Sequence, residues 1–200
     1  MRYAVVPGAC ALRATTLDDD SLLVPFVEAG RRLVAEGVDG ITTSCGFLVL
    51  YQRALSERLA VPVATSALLQ IPMVRTLLPS KRRVGVLTFD ARSLGPKHLE
   101  AAGAPDDTPV AGLAPDTAFR RAVLGGMPAD FLTREAEVLD AACRLQEEAP
   151  DLGAVVLECT NFAPHAPAIA ARLELPVYDI VTLMTWFQAG LGRGRSRQSS

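Results

Sequence analysis

Short apolar runs alternate with amphipathic stretches along most of the chain. Residues 84–89 and 153–157 are continuous apolar segments of the kind that form buried parallel strands. In residues 22–36, by contrast, the apolar positions Leu22, Phe26 and Leu33 recur at helical spacing. This alternation of buried strands and helices predicts an α/β fold, with mostly parallel sheets flanked by helices.

The same reading places the individual elements. The segment 18–21 (Asp-Asp-Asp-Ser) offers N-caps for the first helix, and Gly37 closes it. Strands are expected at residues 2–6, 38–45, 61–64, 84–89, 110–113, 153–157 and 177–179. Helices are expected at residues 22–36, 48–59, 67–78, 93–102, 116–124, 129–149, 164–173 and 182–189.

An internal repeat relates two parts of the chain. Two apolar strands each end in a cysteine, Cys45 in one case and Cys159 in the other. Cys45 precedes Pro62 by 17 positions, and Cys159 precedes Pro176 by the same 17. The repeat predicts two similar α/β halves that each present one cysteine at the same place. The alternative is a pair of generic βαβ units that share only the features of all such units.

The repeat suggests how the chain is divided. The polar break at residues 79–83 separates a first lobe, residues 1–80, from a second lobe, residues 81–181. The helix at 182–189 is expected to cross back and complete the first lobe. Residues 190–200 are rich in Gly, Arg and Ser without apolar periodicity, so they are expected to form a disordered tail.

The first lobe is expected to lack its opening strand. The second lobe opens with the strand at 84–89, about 70 residues before Cys159. By the arithmetic of the repeat, the counterpart of that strand falls about 30 residues before Met1. Either the true start lies upstream or the protein has lost the element.

Composition and charge narrow the classes of function. The 200 residues suit one compact domain or two small lobes, and the 50% hydrophobic content is spread in runs too short to span a membrane. A net charge of −2 gives no basis for nucleic-acid binding. Four cysteines without C-x-x-C spacing and only two histidines do not suggest a metal site. Without a recognisable export signal, we expect a cytoplasmic protein with free thiols.

Cys45 and Cys159 have the sequence context of reactive thiols. Each follows a predicted strand and precedes a predicted helix. Ligands of open α/β sheets bind beyond the carboxyl ends of the strands. The N–H groups and dipole of a helix N-terminus also stabilise a thiolate. The two cysteines are therefore the candidate catalytic residues.

The motifs at residues 43–46 (Thr-Ser-Cys-Gly) and 158–161 (Glu-Cys-Thr-Asn) resemble those of the aspartate/glutamate/hydantoin racemase superfamily. The resemblance covers residues from about 36 to 189. It implies two pseudo-symmetric α/β lobes with an active-site cleft between them, no cofactor, a small carboxylate substrate and a homodimer. The family's first motif often continues Cys-Asn-Thr or Cys-Asn-Ala, whereas this chain has Cys45-Gly46-Phe47 and so lacks a polar side chain there.

The resemblance further implies a racemase or epimerase with two bases. Cys45 and Cys159 would remove a proton from one face of the carbon α to a carboxylate and return one to the other face. Backbone N–H groups and nearby side chains would stabilise the carbanion. The expected substrate-binding residues at the motifs and strand ends are Ser44, Gly46, Thr160, Asn161, Thr88, Thr65 and Ser66.

Two other functions stay open. One is decarboxylation or cis–trans isomerisation of a small diacid on the same scaffold, and the other is a non-catalytic ligand-binding relative. Among neighbouring residues, His165 is a weaker candidate. Cys10 follows a predicted strand and could border the cleft, but a small buried or loop thiol is the preferred reading, and Cys143 is expected to be a packing thiol. Strand alternation predicts that Glu158 points away from the cysteine beside it.

Overall fold

The computed structural model describes residues 1–16 and 21–192. Their strands are β1 (Ile41–Thr42), β2 (Val63–Ala64), β3 (Arg83–Thr88), β4 (Val110–Gly112), β5 (Leu152–Leu157) and β6 (Val177–Tyr178). Their α-helices are α1 (Ala11–Thr15), α2 (Leu23–Ala35), α3 (Gln52–Arg58), α4 (Ile71–Leu77), α5 (Pro96–Ala101), α6 (Ala118–Val123), α7 (Phe131–Glu148), α8 (Ala166–Leu173) and α9 (Ile180–Leu191). Three 3-10 helices, Gly46–Tyr51, Ala67–Gln70 and Thr160–His165, precede α3, α4 and α8.

The main sheet belongs to the second half of the chain. Its strands are parallel in the order β4-β3-β5-β6, with β3 and β5 at the centre. Both central strands are almost fully buried, because helices cover both faces of the sheet. The continuous apolar runs in the sequence correspond to these two strands, which confirms the predicted parallel α/β fold.

The smaller sheet, β1 with β2, repeats the geometry of β5 with β6. Both pairs are parallel, and Ile41 pairs with Val63 as Val155 pairs with Val177. The Ile41 N–H donates to the carbonyl of Pro62 at 3.0 Å, and the Val155 N–H donates to that of Pro176 at 2.9 Å. Each equivalent pair is offset by 114 positions, the same offset that separates Cys45 from Cys159.

Both cysteines also lead into the same local structure. Each is the extended residue that caps a six-residue 3-10 helix, and that helix passes directly into an α-helix. We call Gly46–Tyr51 and Thr160–His165 the first and second cysteine turns. The chain reversal needed after a parallel strand is thus made in the same way twice. The structure therefore shows a repeat at the level of hydrogen bonds as well as sequence.

Two buried clusters form most of the core. One contains the main sheet, α7 and α8, and it also takes in Ala67, Leu68, Ile71 and Val74 from the first half. The other joins α2 and α3 to the smaller sheet. The 3-10 helix Ala67–Gln70 and α4 therefore pack with the second half, although they precede the polar break at residues 79–83.

Helix α9 packs against residues of the first half of the chain. Ile180 and Leu183 form a small cluster with Ala64. Phe187 and Leu191 approach Gly40 so closely that an added Cβ there would lie 3.0 and 2.4 Å from them. The C-terminal helix thus joins the two sheets.

The N-terminal segment differs from the sequence prediction. Residues 2–6 do not form a strand, and Tyr3 and Val5 are 85% and 87% exposed. Residues 2–6 are mostly apolar, but no neighbouring strand among the described residues pairs with them. An isolated strand is not stable. The chain instead forms the short helix α1, which the sequence did not indicate. The predicted cap residues 18–20 and tail residues 193–200 lie outside the described residues.

No helix within residues 1–16 and 21–192 combines the length and apolar character needed to cross a bilayer.

Candidate active site

A cavity of about 270 Å³ lies where the two cysteine turns meet. Residues 44–48 and 158–161 form its floor and walls, so both motifs face one space. Helix α1 with Ala9 and Cys10 covers one side. Phe26, Phe89 and Val123 complete the lining. The carboxyl ends of β1, β3 and β5 thus open onto a single cavity, as expected for a ligand site in parallel α/β sheets.

Cys45 and Cys159 are brought together in this cavity. Cys45 is half-buried and Cys159 is 8% exposed. Both line the cavity although they are 114 positions apart in the sequence. The two thiols therefore face a common space from the two repeated halves.

Both thiols are neutral in this structure. Burial, followed by the negative charge of Glu158, raises the pKa of Cys45 to about 12, while the N–H groups of Phe47 and Leu48 lower it less. Burial, followed by the charge of Glu158, also raises the pKa of Cys159 well above its ordinary value, against opposing hydrogen bonds from Asn161. The expectation that a helix N-terminus would stabilise the thiolate is therefore wrong for the net pKa of either cysteine. Desolvation exceeds the effect of the N–H groups.

The polar motif residues mainly connect the two cysteine turns. The Thr160 hydroxyl donates to the carbonyl oxygen of Ser44 at 2.8 Å. This bond joins the residue after one cysteine to the residue before the other. Ser44 and Asn161 are exposed at the cavity lining, so their side chains can reach a ligand.

Glu158 is one of the residues that line the cavity, and its carboxylate is buried. Strand β5 ends at Leu157, so the alternation of a pleated strand does not extend to Glu158. Its carboxylate accepts a hydrogen bond from the Thr88 hydroxyl at 2.7 Å and one from the Phe89 N–H at 3.4 Å. Burial raises its pKa from 4.5 to about 7, although these bonds and those from the backbone of Phe47 and Gly46 lower it.

Gly46 is the place where the two motifs touch. A Cβ on this residue would lie 2.3 Å from the Glu158 carbonyl oxygen and 2.5 Å from its Oε1 atom. Only glycine allows this approach. The departure of Cys45-Gly46-Phe47 from the resembled family's pattern therefore has a physical reason, because Glu158 occupies the space where a side chain would project.

Three predicted substrate-binding residues lie outside the cavity lining. Thr65, Ser66 and Thr88 are all fully buried. The Thr65 hydroxyl and N–H both donate to the Gln52 side chain, and the Ser66 hydroxyl accepts from the Leu68 N–H to cap a 3-10 helix. Thr88 acts on the site through Glu158.

His165 and Cys143 also lie away from the cavity. His165 is buried against the ring of Phe131, and its Nδ1 atom is 3.4 Å from a carboxylate oxygen of Glu135. Cys143 packs against the main core. Cys10, which was expected to be an ordinary loop thiol, is exposed at the cavity.

The sequence did not indicate Glu158 or the aromatic wall as part of the site, and it gave Cys10 only as a residue that could border the cleft. Glu158 was detectable in principle, because its partner Gly46 replaces a polar residue in the motif. Cys10 and Phe26 lie at the cavity because of where α1 and α2 pack, and this packing is not indicated by any local sequence pattern. Among the described residues that line the cavity, Glu158 is the single acidic residue, and none is Lys or Arg.

Sequence comparison relates the chain to algal lyases. No family model matches it. Dimethylsulfoniopropionate lyase 3 of Emiliania huxleyi (strain CCMP1516) is 30% identical over 203 residues, which cover 94% of this chain and 52% of that protein. Dimethylsulfoniopropionate lyase 5 of the same organism is 34% identical over 77% of this chain and 32% of its own length. The chain thus spans about half the length of the first of these relatives, and less of the second.

Solved structures with this fold are racemases and a decarboxylase. Arylmalonate decarboxylase superposes with a TM-score of 0.61 at 19% identity, covering 90% of this chain and 80% of that one. Allantoin racemase from Klebsiella pneumoniae gives 0.59 at 25% identity, over 87% and 69%. Glutamate racemase from Aquifex pyrophilus gives 0.57 at 19% identity, over 91% and 71%. These neighbours share the fold of this chain, and they are members of the aspartate/glutamate/hydantoin racemase superfamily that its two cysteine motifs resemble.

Proposed function

We propose that this protein is an enzyme that moves a proton at the carbon α to a carboxylate, with Cys45 and Cys159 as the paired acid and base. The observation that carries the proposal is that the two equivalent cysteines of the repeat line one cavity. Equivalent positions in two halves related by a repeat approach a ligand between them from different sides. That arrangement suits proton transfer at both faces of one carbon.

The site has hydrogen-bond donors for the negative charge that develops on the substrate during proton removal. When the α C–H bond breaks, its proton goes to sulfur and its electron pair spreads onto the carboxylate. Donors in the two cysteine turns already stabilise negative charge at the site: the N–H groups of Phe47 and Leu48 act on Cys45, and Asn161 acts on Cys159. Such preorganised donors stabilise an enediolate without a cofactor. Because no Lys or Arg is among the described residues of the lining, a substrate with one carboxylate fits the site better than a diacid does.

Inversion of configuration is the outcome that uses both thiols. One cysteine, as thiolate, takes the proton, and the other, as thiol, returns one to the opposite face. The roles exchange for the reverse reaction. Retention of a cavity-facing cysteine in each half supports a racemase or epimerase.

Elimination is the second candidate, and the sequence relatives favour it. Two curated proteins that are 30% identical over 94% of the chain are named dimethylsulfoniopropionate lyases. On such a substrate the same first step removes the α proton, and the electron pair expels dimethyl sulfide from the β carbon to leave acrylate. The cationic sulfonium group suits a cavity whose charged side chain is a carboxyl group and whose wall contains Phe26, Phe47 and Phe89. Decarboxylation would end on the same carbanion, and arylmalonate decarboxylase shares the fold.

A substrate panel in heavy water tests the proposal. The full chain would be incubated with chiral amino acids, a chiral hydantoin, an arylmalonate and dimethylsulfoniopropionate, and followed by proton NMR. We expect one member to exchange its α hydrogen for deuterium or to turn over with solvent deuterium in the product. If every member, and related monocarboxylates, kept its α hydrogen over days with folded protein, the proposed function would be wrong.

A further inference from the structure

Glu158 links the two cysteine turns. It precedes Cys159 directly, and its carboxylate is close to the backbone of Gly46, which follows Cys45. Hydrogen bonds from Thr88 and Phe89 fix it from the end of β3. One buried carboxyl group is therefore anchored between the two residues that carry the thiols.

The position of this carboxyl group matters because the thiols share its environment. Glu158 is 1% exposed, so little solvent screens its charge. A negative charge there opposes the formation of a second negative charge on either sulfur. The effect reaches both cysteines, since the charge of Glu158 raises the pKa of Cys45 and that of Cys159.

We propose that Glu158 is a positioning residue that controls both thiols. While its carboxylate is charged, neither cysteine ionises, and when it takes up a proton one thiol is free to act as the base. The step conserves charge, because the S–H bond of a cysteine breaks as an O–H bond forms on Glu158. The site then carries one negative charge throughout, on oxygen at rest and on sulfur when active.

The role of Glu158 in catalysis rests on the proposed function, whereas its effect on the ionisation of the two thiols can be measured without a substrate. It also explains the pairing of Gly46 with Glu158, because the carboxyl group replaces the polar side chain that the resembled family often has after its first cysteine. Control by charge is different from direct contact with substrate. For this reason we describe Glu158 as a positioning residue.

Other ionisable groups near Glu158 are accounted for by their own partners or positions. The Asp90–Arg120 ion pair lies beyond Phe89, whose carbonyl oxygen accepts from Arg120 at 3.1 Å. His98 packs edge-on against Phe47 on the side of α5. On the cavity side the titratable neighbours are Cys10, Cys45 and Cys159. The pH response of the thiols is thus expected to follow Glu158 first.

Alkylation of individual cysteines by iodoacetamide tests the proposal. The rate at Cys45 and Cys159 would be measured against pH by peptide mass analysis, with Cys143 in helix α7 as the internal reference. Glu158→Gln keeps the shape but removes the charge, whereas Glu158→Asp keeps the charge. Thr88→Val removes the bond that favours the charged carboxylate, so it provides a second variant if Glu158→Gln fails to fold.

We expect Glu158→Gln to raise the alkylation rate of both cavity cysteines about tenfold at pH 8.5, equal to one unit in thiol pKa. Glu158→Asp should stay close to the wild-type rate. Thr88→Val should raise the rate in the window just above pH 7, because Glu158 then keeps its proton to higher pH. The rate at Cys143 should not change in any variant.

Two results would overturn the proposal. One is an unchanged rate at both cavity cysteines in Glu158→Gln, or in Thr88→Val where only that variant folds. The other is an equal increase in Glu158→Asp and Glu158→Gln, which would show that packing and not charge protects the thiols. Because alkylation needs no substrate, either result leaves the substrate panel as a separate test of the proposed function.

Discussion

At the scale of single residues, the site depends on the close approach of Gly46 and Glu158. The carboxyl group is buried, yet it is held by donors from β3 and from the first cysteine turn. Neither partner is informative alone in the sequence, since a glycine and a glutamate are common residues. Together they fix the distance between the two motifs. Two predictions belong to this scale.

Gly46→Ala should damage both stability and activity. The new Cβ would lie 2.3 Å from the Glu158 carbonyl oxygen, and a backbone atom cannot move aside as a flexible side chain does. We expect a loss of about 1–3 kcal/mol in the free energy of unfolding, measured by urea denaturation. The matched control is Gly190→Ala in α9, where an added Cβ meets nothing within 4 Å. Equal effects of the two substitutions would contradict the close contact.

Glu158→Gln should remove a pH dependence of stability. Burial raises the pKa of Glu158 from 4.5 to about 7, so between these values the folded state binds more protons than the unfolded state. The free energy of unfolding therefore falls as pH rises through this window, by roughly 3 kcal/mol from this group. Thermal melts of both proteins should converge in acid and diverge towards neutral pH, with the variant more stable there. Parallel curves would show that Glu158 ionises as freely as in the unfolded chain.

At the scale of elements, α9 is joined to the rest of the molecule by a buried amide. The Gln70 side chain donates to the carbonyl oxygen of Asp179 at 2.9 Å and accepts from the Thr182 hydroxyl at 3.0 Å. These bonds lie at the N-terminus of α9, where Asp179 also caps the helix. The element that connects the two sheets is thus held by polar groups as well as by its apolar face.

Gln70→Ala should loosen this connection. The substitution removes two hydrogen bonds, while the Asp179 carbonyl and the Thr182 hydroxyl keep their bonds within the helix cap. Each lost bond costs about 0.5–1.5 kcal/mol. Hydrogen exchange should show faster opening of the α9 amides than of the β3 amides. Gln188→Ala, at an exposed position of the same helix, is the control and should leave exchange unchanged. Similar protection of α9 in both variants would rule out the proposed role of Gln70.

Most helices and strands were predictable because the spacing of their apolar residues follows which face of the element is buried. The strands β3 and β5 and the helices α2 and α7 lie within a few residues of their predicted bounds. The failures have a common cause. Residues 2–6 have a strand pattern but no neighbour to pair with in the described chain, and α1 is defined by its contact with the first cysteine turn. Such features depend on tertiary contacts, which the local spacing of apolar residues does not indicate.

The candidate site was predictable to the same extent. The repeat identified Cys45 and Cys159, because equivalent positions in repeated halves converge wherever the halves face each other. Thr65, Ser66 and Thr88 follow strands as well, but their hydroxyl groups are used by the backbone and by Gln52 and Glu158. Position at a strand end therefore indicates proximity to the site, whereas hydrogen bonding decides whether a side chain is available to a ligand.

At the scale of the whole molecule, the repeat explains why two cysteines face one cavity. The smaller sheet and the β5–β6 pair share their register and hydrogen bonds, and each delivers a cysteine into a 3-10 turn. A reaction at two faces of one carbon is the chemistry that we propose for this duplicated arrangement. The distance between the sulfurs is expected to be roughly 6–8 Å, about twice hydrogen-bond reach, when a substrate lies between them.

The most direct test of this account is deuterium exchange in the single variants Cys45→Ser and Cys159→Ser, with the substrate that the panel identifies. Serine keeps the shape but is too weak an acid to serve as the base. We predict that each variant loses inversion completely. Each should exchange the α hydrogen of only one enantiomer, and the two variants should choose opposite enantiomers. Full wild-type inversion in either variant would contradict the two-base account and favour a reaction that needs one cysteine.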